Sequence, residues 1–461
     1  MDQQRRSSTT DAEGVQTSLN TTDMRRILAS SFIGSAIEFY DFMLYATASS
    51  IVFSALYFAD LGPGLALFAS FATLAAGYIA RPLGGIIFGH FGDRVGRKKA
   101  LVFSMLMMGA VTILIGLMPP TAQIGAIAPI SLLVLRIAQG IAVGGEWGGA
   151  ALMALEHAPK DKRGFAAAFA NAGGPAGAVL ATLVLSLMTV LTGDQFVIWG
   201  WRIPFLLSAV LIVVGLVVRL RVAETPAFQS LEAERDSRRI PLVDVMRHHL
   251  APVAIALLVT MSVYTTQAIV TVWGVSVAVE AGEDKTAVLN WKAAAAVVTM
   301  IVTFAMARVS DRIGRRRALV IATLTTAAAA FPLAHLIATG ELGNYAVAIV
   351  VGNGIVQGMV YGPIAAYVAE LFPPEVRYSG ASLGYQAAAA IGAGMTPMIA
   401  SAFMLLPSGG EWWIGAYWAF FALVGAGAVA LYRRRPLETD DDSASPGPKG
   451  AATPQLTRSA R

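Results

Sequence analysis

Glu38 and Asp41 stand three positions apart, and Tyr45 follows seven positions after Glu38, so a helix that carries them presents two carboxyl groups and a phenol on one stripe. The residues around them, 27–56, are mostly apolar. Arg136 and Gln139 share a helical face in the same way inside the apolar run 124–155, and Arg81 stands inside the run 65–91. Ionisable groups are costly in a medium without water, so in such a setting they act by default as sites for protons, ions or charged ligands. Two carboxyl groups held close together repel, and a proton shared between them relieves that repulsion. A guanidinium fork fits a carboxylate bidentately, so Arg136 can receive an anionic ligand or pair with Glu38 or Asp41. The two roles can form one mechanism, in which a proton arriving on the carboxylate releases the arginine for an anion.

The surrounding elements must hold these charges away from water. Hydrophobic residues make up 56% of the chain and charged residues 14%, with a mean hydropathy of +0.62; roughly a quarter of an ordinary soluble domain is charged. Twelve apolar runs lie between 27 and 432, each long enough to cross a hydrocarbon layer as a helix of about 20 residues. The expected fold is therefore an all-α integral membrane protein of twelve transmembrane helices in two six-helix bundles. The bundles are expected at 25–221 and 250–435, joined by a cytoplasmic linker at 222–249. The polar tails 1–24 and 436–461 bury too little surface to fold on their own. No cleavable leader is expected, because the first apolar run is too long and no small-residue cleavage site follows it. Counting along the first run places Glu38 and Asp41 roughly 16 and 21 Å into it, near the middle of the membrane.

Basic residues set the orientation, since positively charged loops stay in the cytoplasm. With the N-terminus inside, all but five of the 34 Lys and Arg fall in the tails or inward-facing loops. Arg81, Arg136 and Arg202 are within or at the edge of helices, and Lys285 and Lys292 are assigned to outward loops. Both termini are expected in the cytoplasm. This asymmetry accounts for the net charge of +5 and the pI near 9.4 with a lipid bilayer as partner and no nucleic acid. The chain has no cysteine, so disulfides and thiolate metal sites are excluded. It also lacks a phosphate-binding loop, a serine elbow and a His pair at helical spacing, so no enzyme, metal or cofactor is expected.

One phrase occurs in both halves: Asp93-Arg94-Val95-Gly96-Arg97-Lys98 and Asp311-Arg312-Ile313-Gly314-Arg315-Arg316. A second pattern, Glu156-x-x-Pro159-x-x-x-Arg163, recurs as Glu370-x-x-Pro373-x-x-x-Arg377 at nearly the same offset. Each closes the corresponding helix of its half, so the chain reads as a duplication. With Gly89 ahead of it, the first phrase resembles the signature of the major facilitator superfamily; Ala307 stands where the second half would carry the equivalent glycine. The resemblance implies that Gly89, Asp93, Arg94, Gly96 and Arg97, their counterparts Asp311, Arg312, Gly314 and Arg315, and the pairs Glu156 with Arg163 and Glu370 with Arg377 form a cytoplasmic latch. That latch would break as the halves rock.

Further motifs narrow the resemblance. Gly34-x-x-x-Glu38-x-x-Asp41-Phe42-x-x-Tyr45, Arg81-Pro82-Leu83-Gly84, Arg136-x-x-Gln139-Gly140-x-x-x-Gly144-Gly145-Glu146 and Trp201-Arg202-Ile203-Pro204-Phe205 look like the metabolite:proton symporter family. Phe39 departs from the Trp that many relatives have there. The resemblance implies import of a small organic acid or a zwitterion of the proline or betaine type, driven by the proton gradient in the cell's inner membrane. Glu38 and Asp41 would couple the proton. Arg136, Gln139, Tyr45 and Arg81 are the substrate candidates of the first half. In the second half no Asp, Glu, Lys or Arg is expected well inside a helix; Tyr264 with Gln267, and Asn353, Gln357 and Tyr361 at spacings of four, offer neutral hydrogen-bonding stripes instead. The expected unit is a monomer. An exporter is the nearest rival, through the partial helix-five pattern Gly173-Gly174-Pro175-x-Gly177. A channel fits two repeats with buried acids less well than alternating access does.

Overall fold

The computed structural model describes residues 21–95, 97–144, 163–221, 241–373, 376–406 and 409–432. These form twelve long helices, and no strand occurs among the described residues. The first six are α1 (Ser31–Tyr57), α2 (Pro63–Phe88), α3 (Val102–Leu117), α4 (Ile127–Val143), α5 (Gly164–Gly200) and α6 (Arg202–Val217). The second six are α7 (Leu250–Glu280), α8 (Lys285–Ile313), α9 (Arg315–Ala338), α10 (Leu342–Glu370), α11 (Ser379–Met404) and α12 (Gly410–Leu431). A short helix, Pro241–His248, ends the linker ahead of α7. It buries Val245, and Asp244 and His248 hydrogen-bond at 2.8 Å on its outer side.

The outer surface is apolar. Leu83, Ile86 and Ile87 of α2, Ile130 and Val134 of α4, Val210 and Val213 of α6, Ile301 of α8 and Phe420 of α12 are all exposed, a belt that matches lipid tails. Such residues supply no net attraction between helices inside a bilayer, so cohesion there depends on close approach of small residues and on interhelical hydrogen bonds. Gly140 and Gly144 of α4 illustrate the first means: a Cβ at either would overlap the α2 backbone carbonyl of Gly77 or of Arg81. Gly140→Ala is accordingly expected to force α4 away from α2 and to destabilise the protein by about 1–3 kcal/mol, read as a lower thermal unfolding midpoint of the purified chain.

The helices pack in matching pairs. α1 lies against α5, α2 against α4 and α3 against α6; six helices later α7 lies against α11, α8 against α10 and α9 against α12. Across the middle, α5 runs along α8 and α2 runs along α11, again as counterparts. A duplicated sequence thus gives duplicated packing, with the seam between halves made by the same two positions of each repeat. Wide π-type turns interrupt four of the helices, at Ser49–Phe53 in α1, Ile269–Trp273 in α7, Val350–Gln357 in α10 and Ala389–Met395 in α11. Turns of this kind often mark functional sites, because they redirect side chains without ending the helix.

Candidate functional site

A small cavity of about 20 Å³ lies between the halves. Phe39 and Met43 of α1 and Gly174, Pro175 and Ala178 of α5 form one wall. Gln267 and Thr271 of α7, Lys292, Ala296 and Thr299 of α8, and Asn353, Gln357 and Tyr361 of α10 form the other. The wide turn at Val350–Gln357 carries both Asn353 and Gln357 to this wall. A void of this size holds about one water, so the molecule is closed around its centre.

Both ends of the seam are fastened. Toward the ends of the helices away from the repeated Asp-Arg phrase, Ser186 Oγ donates to Asn290 Oδ1 at 2.7 Å, Thr189 and Thr286 share a hydrogen bond of 2.8 Å, and Ser50 Oγ donates to the Val272 carbonyl at 3.1 Å. Toward the ends that carry the repeated Asp-Arg phrase, Asp311 accepts hydrogen bonds from the backbone N–H groups of Gly164 and Phe165, at 3.2 and 3.1 Å. These are unpaired donors at the start of α5, where the helix dipole favours a negative charge. Asp311 also meets Arg315 at 3.2 Å, and Arg315 meets Glu370 at 2.9 Å. Phe304 fills the space behind, with ring centroids 5.7 Å from Phe165 and 5.0 Å from Phe169. Closer to the centre, Asn171 Nδ2 donates to the Tyr361 carbonyl at 2.9 Å.

The latch residues divide by what can be seen. Gly314 takes φ +89° at the end of α8, a conformation that favours glycine, while Arg312 is exposed. Arg377 Nε donates to the Phe372 carbonyl at 3.2 Å, within its own loop. Gly96 and Glu156 lie outside the described residues, as does Glu146. Gly89, Asp93 and Arg94 fall on the helical continuation of α2, Arg97 at the start of the next helix and Arg163 at the start of α5; their side-chain surroundings also lie outside the description.

The charges of the first half sit one layer behind the cavity wall. Arg136 is fully buried, with its guanidinium 4.0 Å from the centroid of Tyr45 and 4.5 Å from that of Phe42. Its Nη1 donates to Gln139 Oε1 at 2.5 Å, and Gln139 Nε2 donates to Thr112 Oγ1 at 2.7 Å. Arg81 stacks on the other side of this cluster, 3.8 Å from the Phe42 centroid and 4.3 Å from that of Tyr78. Tyr45 shares a 2.7 Å hydrogen bond with Thr73. Arg136, Gln139, Tyr45 and Arg81 therefore form an internal layer in this closed state and do not line the cavity. Helical spacing fixed which face they share, but not that the guanidinium groups would be enclosed by the rings of Phe42, Tyr45 and Tyr78.

The acid pair is split between two environments. Asp41 accepts a 2.6 Å hydrogen bond from Ser208 of α6, inside the first half, and is within electrostatic range of Arg136. Glu38, also buried, is within electrostatic range of Tyr361 and Tyr385 of the opposite half. One helical turn thus holds one carboxyl toward its own bundle and the other toward the seam. Of the second-half candidates, Gln267, Asn353, Gln357 and Tyr361 line the cavity. Tyr264 instead packs its ring 5.3 Å from Tyr385, behind the wall.

One assignment is corrected. Lys292 belongs to no outward loop: it lies inside α8, is 2% exposed and lines the cavity, so the second half does carry an internal charge. Asp284 caps α8 by accepting from the Ala287 N–H at 2.8 Å, which starts the helix early enough to draw Lys292 in.

Two pseudo-equivalent bundles fastened at both ends around a central cavity are the architecture of a membrane transporter. The chain belongs to the Major Facilitator Superfamily, whose family model matches residues 32–385 and 293–460. It is 39% identical over 432 residues to the inner membrane metabolite transport protein YhjE of Escherichia coli, covering 92% of this chain and 96% of the relative. It is 35% identical to the shikimate transporter of the same organism (90% and 96% covered) and 29% identical to the proline/betaine transporter of Salmonella typhimurium (94% and 88%). Among solved structures, a D-xylose-proton symporter shares the fold with a TM-score of 0.68 at 18% identity, over 89% of this chain and 98% of the other. These relatives agree with the metabolite:proton symporter motifs of the first half. The protein is a membrane transporter of the metabolite type and not an enzyme.

Proposed function

We propose that this chain imports a small organic metabolite, most simply a carboxylate, together with protons across the inner membrane, as a monomer with both termini in the cytoplasm. The proton gradient is its sole energy source and no cofactor takes part. The observation that carries this reading is the position of the acid pair. Glu38 and Asp41 are buried on the same turns of α1 that send Phe39 and Met43 to the cavity wall. A proton taken up by either carboxyl removes a charge from the low-dielectric interior and changes its attraction to Arg136 or to the tyrosines across the seam. Because these groups and the wall share one helix, that change reaches the cavity without a relay. Domain bounds of 25–221 and 250–435 fit the paired packing, with 222–249 as the linker.

The test is uptake into proteoliposomes with the external side acidic, across a panel of labelled organic acids, proline and betaine. Accumulation is expected to collapse when the gradient is dissipated. Asp41→Asn should lose gradient-driven accumulation by at least about tenfold, since a neutral amide cannot cycle a proton, while exchange of labelled for unlabelled substrate at equal pH is retained. Unchanged accumulation in Asp41→Asn, or expulsion of substrate under the same gradient, would sink the reading and in the second case favour an exporter.

A further inference from the structure

Lys292 is the one charged residue on the wall of the central cavity, among the described residues, and neither the duplicated motifs nor the symporter resemblance accounts for it. Its ammonium can donate three hydrogen bonds. It makes one, to Thr47 Oγ1 of α1 at 2.6 Å, across the seam between the halves. Thr47 spends its own proton on the Met43 carbonyl at 2.7 Å, so it serves Lys292 only as an acceptor. Burying an ammonium costs several kcal/mol unless it is paired, and a single neutral hydroxyl compensates little of that. No carboxylate lines the cavity beside it. An ammonium so placed on the wall of the central void is a ready seat for an anionic partner that comes and goes.

A second group on the same wall has a related need. Gln357 Oε1 is buried without a hydrogen-bond partner, so it can accept from a hydroxyl or amine. Phe39 and Ala296 add apolar faces to the same cavity. We propose that Lys292 is the substrate's anchor, its ammonium taking the carboxylate of a small hydroxylated monocarboxylate whose hydroxyl donates to Gln357. This rests on the transporter reading above and narrows its cargo. A carboxylate brings full negative charge where Thr47 offers only a dipole, so its arrival draws Lys292 off α1 and loosens the outer part of the seam. A quaternary zwitterion fits less well: it has no donor for Gln357, and its cationic end finds no acid on the wall.

The test uses the purified full-length protein and four hydroxylated monocarboxylates as probes: shikimate, quinate, gluconate and lactate. The methyl ester of shikimate and glycine betaine serve as neutral and zwitterionic controls. Binding is read by thermal stabilisation and confirmed by calorimetry. At least one acid is expected to bind, more tightly than either control. Lys292→Gln should weaken that acid by about tenfold or more, the loss of a charge-assisted contact, while leaving the weak binding of the ester unchanged. Lys292→Arg should recover part of the affinity. Lys292→Met, which removes the charge and keeps the volume, provides a second neutral variant if the glutamine variant does not purify as a folded monodisperse protein. The proposal is overturned if none of the four acids binds at millimolar concentration, if betaine or the ester binds better, or if both neutral variants bind the acid like the wild type. Acid binding that depends on Lys292, paired with uptake indifferent to the proton gradient, would reject only the coupling reading and leave the anchor standing.

Discussion

Arg136→Ala is expected to abolish transport and to destabilise the first bundle by about 3–5 kcal/mol, as removal of one member of a buried charged cluster does. The guanidinium is enclosed by Phe42 and Tyr45 at 4.5 and 4.0 Å and tethered to Gln139. Its loss removes two desolvated stacking contacts, each worth up to about 2 kcal/mol. It also leaves Gln139 Oε1 without its donor and takes away the positive charge that faces Asp41. Arg136→Lys separates two roles. A lysine keeps the charge but not the plane that lies over the rings or the fork that reaches Gln139. If Arg136 orders the layer behind the cavity, the lysine variant lowers the unfolding midpoint and the maximal uptake rate together. If it holds substrate directly, the variant raises the half-saturating substrate concentration at an unchanged midpoint. The closed geometry, in which Arg136 is buried against Tyr45 and Phe42 and does not line the cavity, predicts the first outcome. A raised half-saturation alone would show that the layer rearranges to expose Arg136 during transport.

Much of the architecture was legible because lipid leaves few alternatives: apolar runs of sufficient length become helices, and two motifs at nearly equal offset become equivalent seams. The neutral stripe Asn353, Gln357 and Tyr361 was legible for the same reason, since helical spacing put three polar groups on one face and the cavity lies there. Spacing says nothing of what a face meets. Glu38 and Asp41 share a stripe yet look to different bundles, and Arg136 shares its face with Gln139 but stands behind aromatic rings. Lys292 escaped for another reason. Next to Trp291 and seven residues after Lys285, it resembles a charge at the membrane surface. Only its phase tells otherwise: Lys292, Ala296, Thr299 and Thr303 fall on one helical face and are all buried, while Trp291 turns out to lipid, 42% exposed. A small and polar stripe running down a helix from a lysine was the available signal.

Asp311→Ala is expected to open the seam at its own end. Asp311 accepts from two backbone donors at the start of α5 and holds Arg315, which in turn holds Glu370. Charge-assisted hydrogen bonds of this sort contribute about 1.5–3 kcal/mol each when well made. Arg315 and Glu370 belong to the same half as Asp311, but the two backbone contacts cross from α8 to α5 and are lost when the halves part here, so their removal acts on the difference between states and not on both equally. A net loss of about 1.4 kcal/mol already raises the population open on this side tenfold relative to the closed one. The chain has no cysteine, so a single Ala296→Cys reports on access to the cavity without a background. A membrane-impermeant maleimide applied to the face that bears Asp311 should react at least about tenfold faster when Asp311→Ala is present. Reaction from the opposite face should slow or stay the same. Thr189→Val, which removes the hydrogen bond to Thr286 near the outer end of the same α5–α8 contact, should do the reverse, and more weakly, because a neutral hydroxyl pair contributes less than a carboxylate at a helix start. Equal acceleration on both faces by Asp311→Ala would mean that α5 and α8 loosen along their whole length, in which case the carboxylate is a structural cap and not a latch.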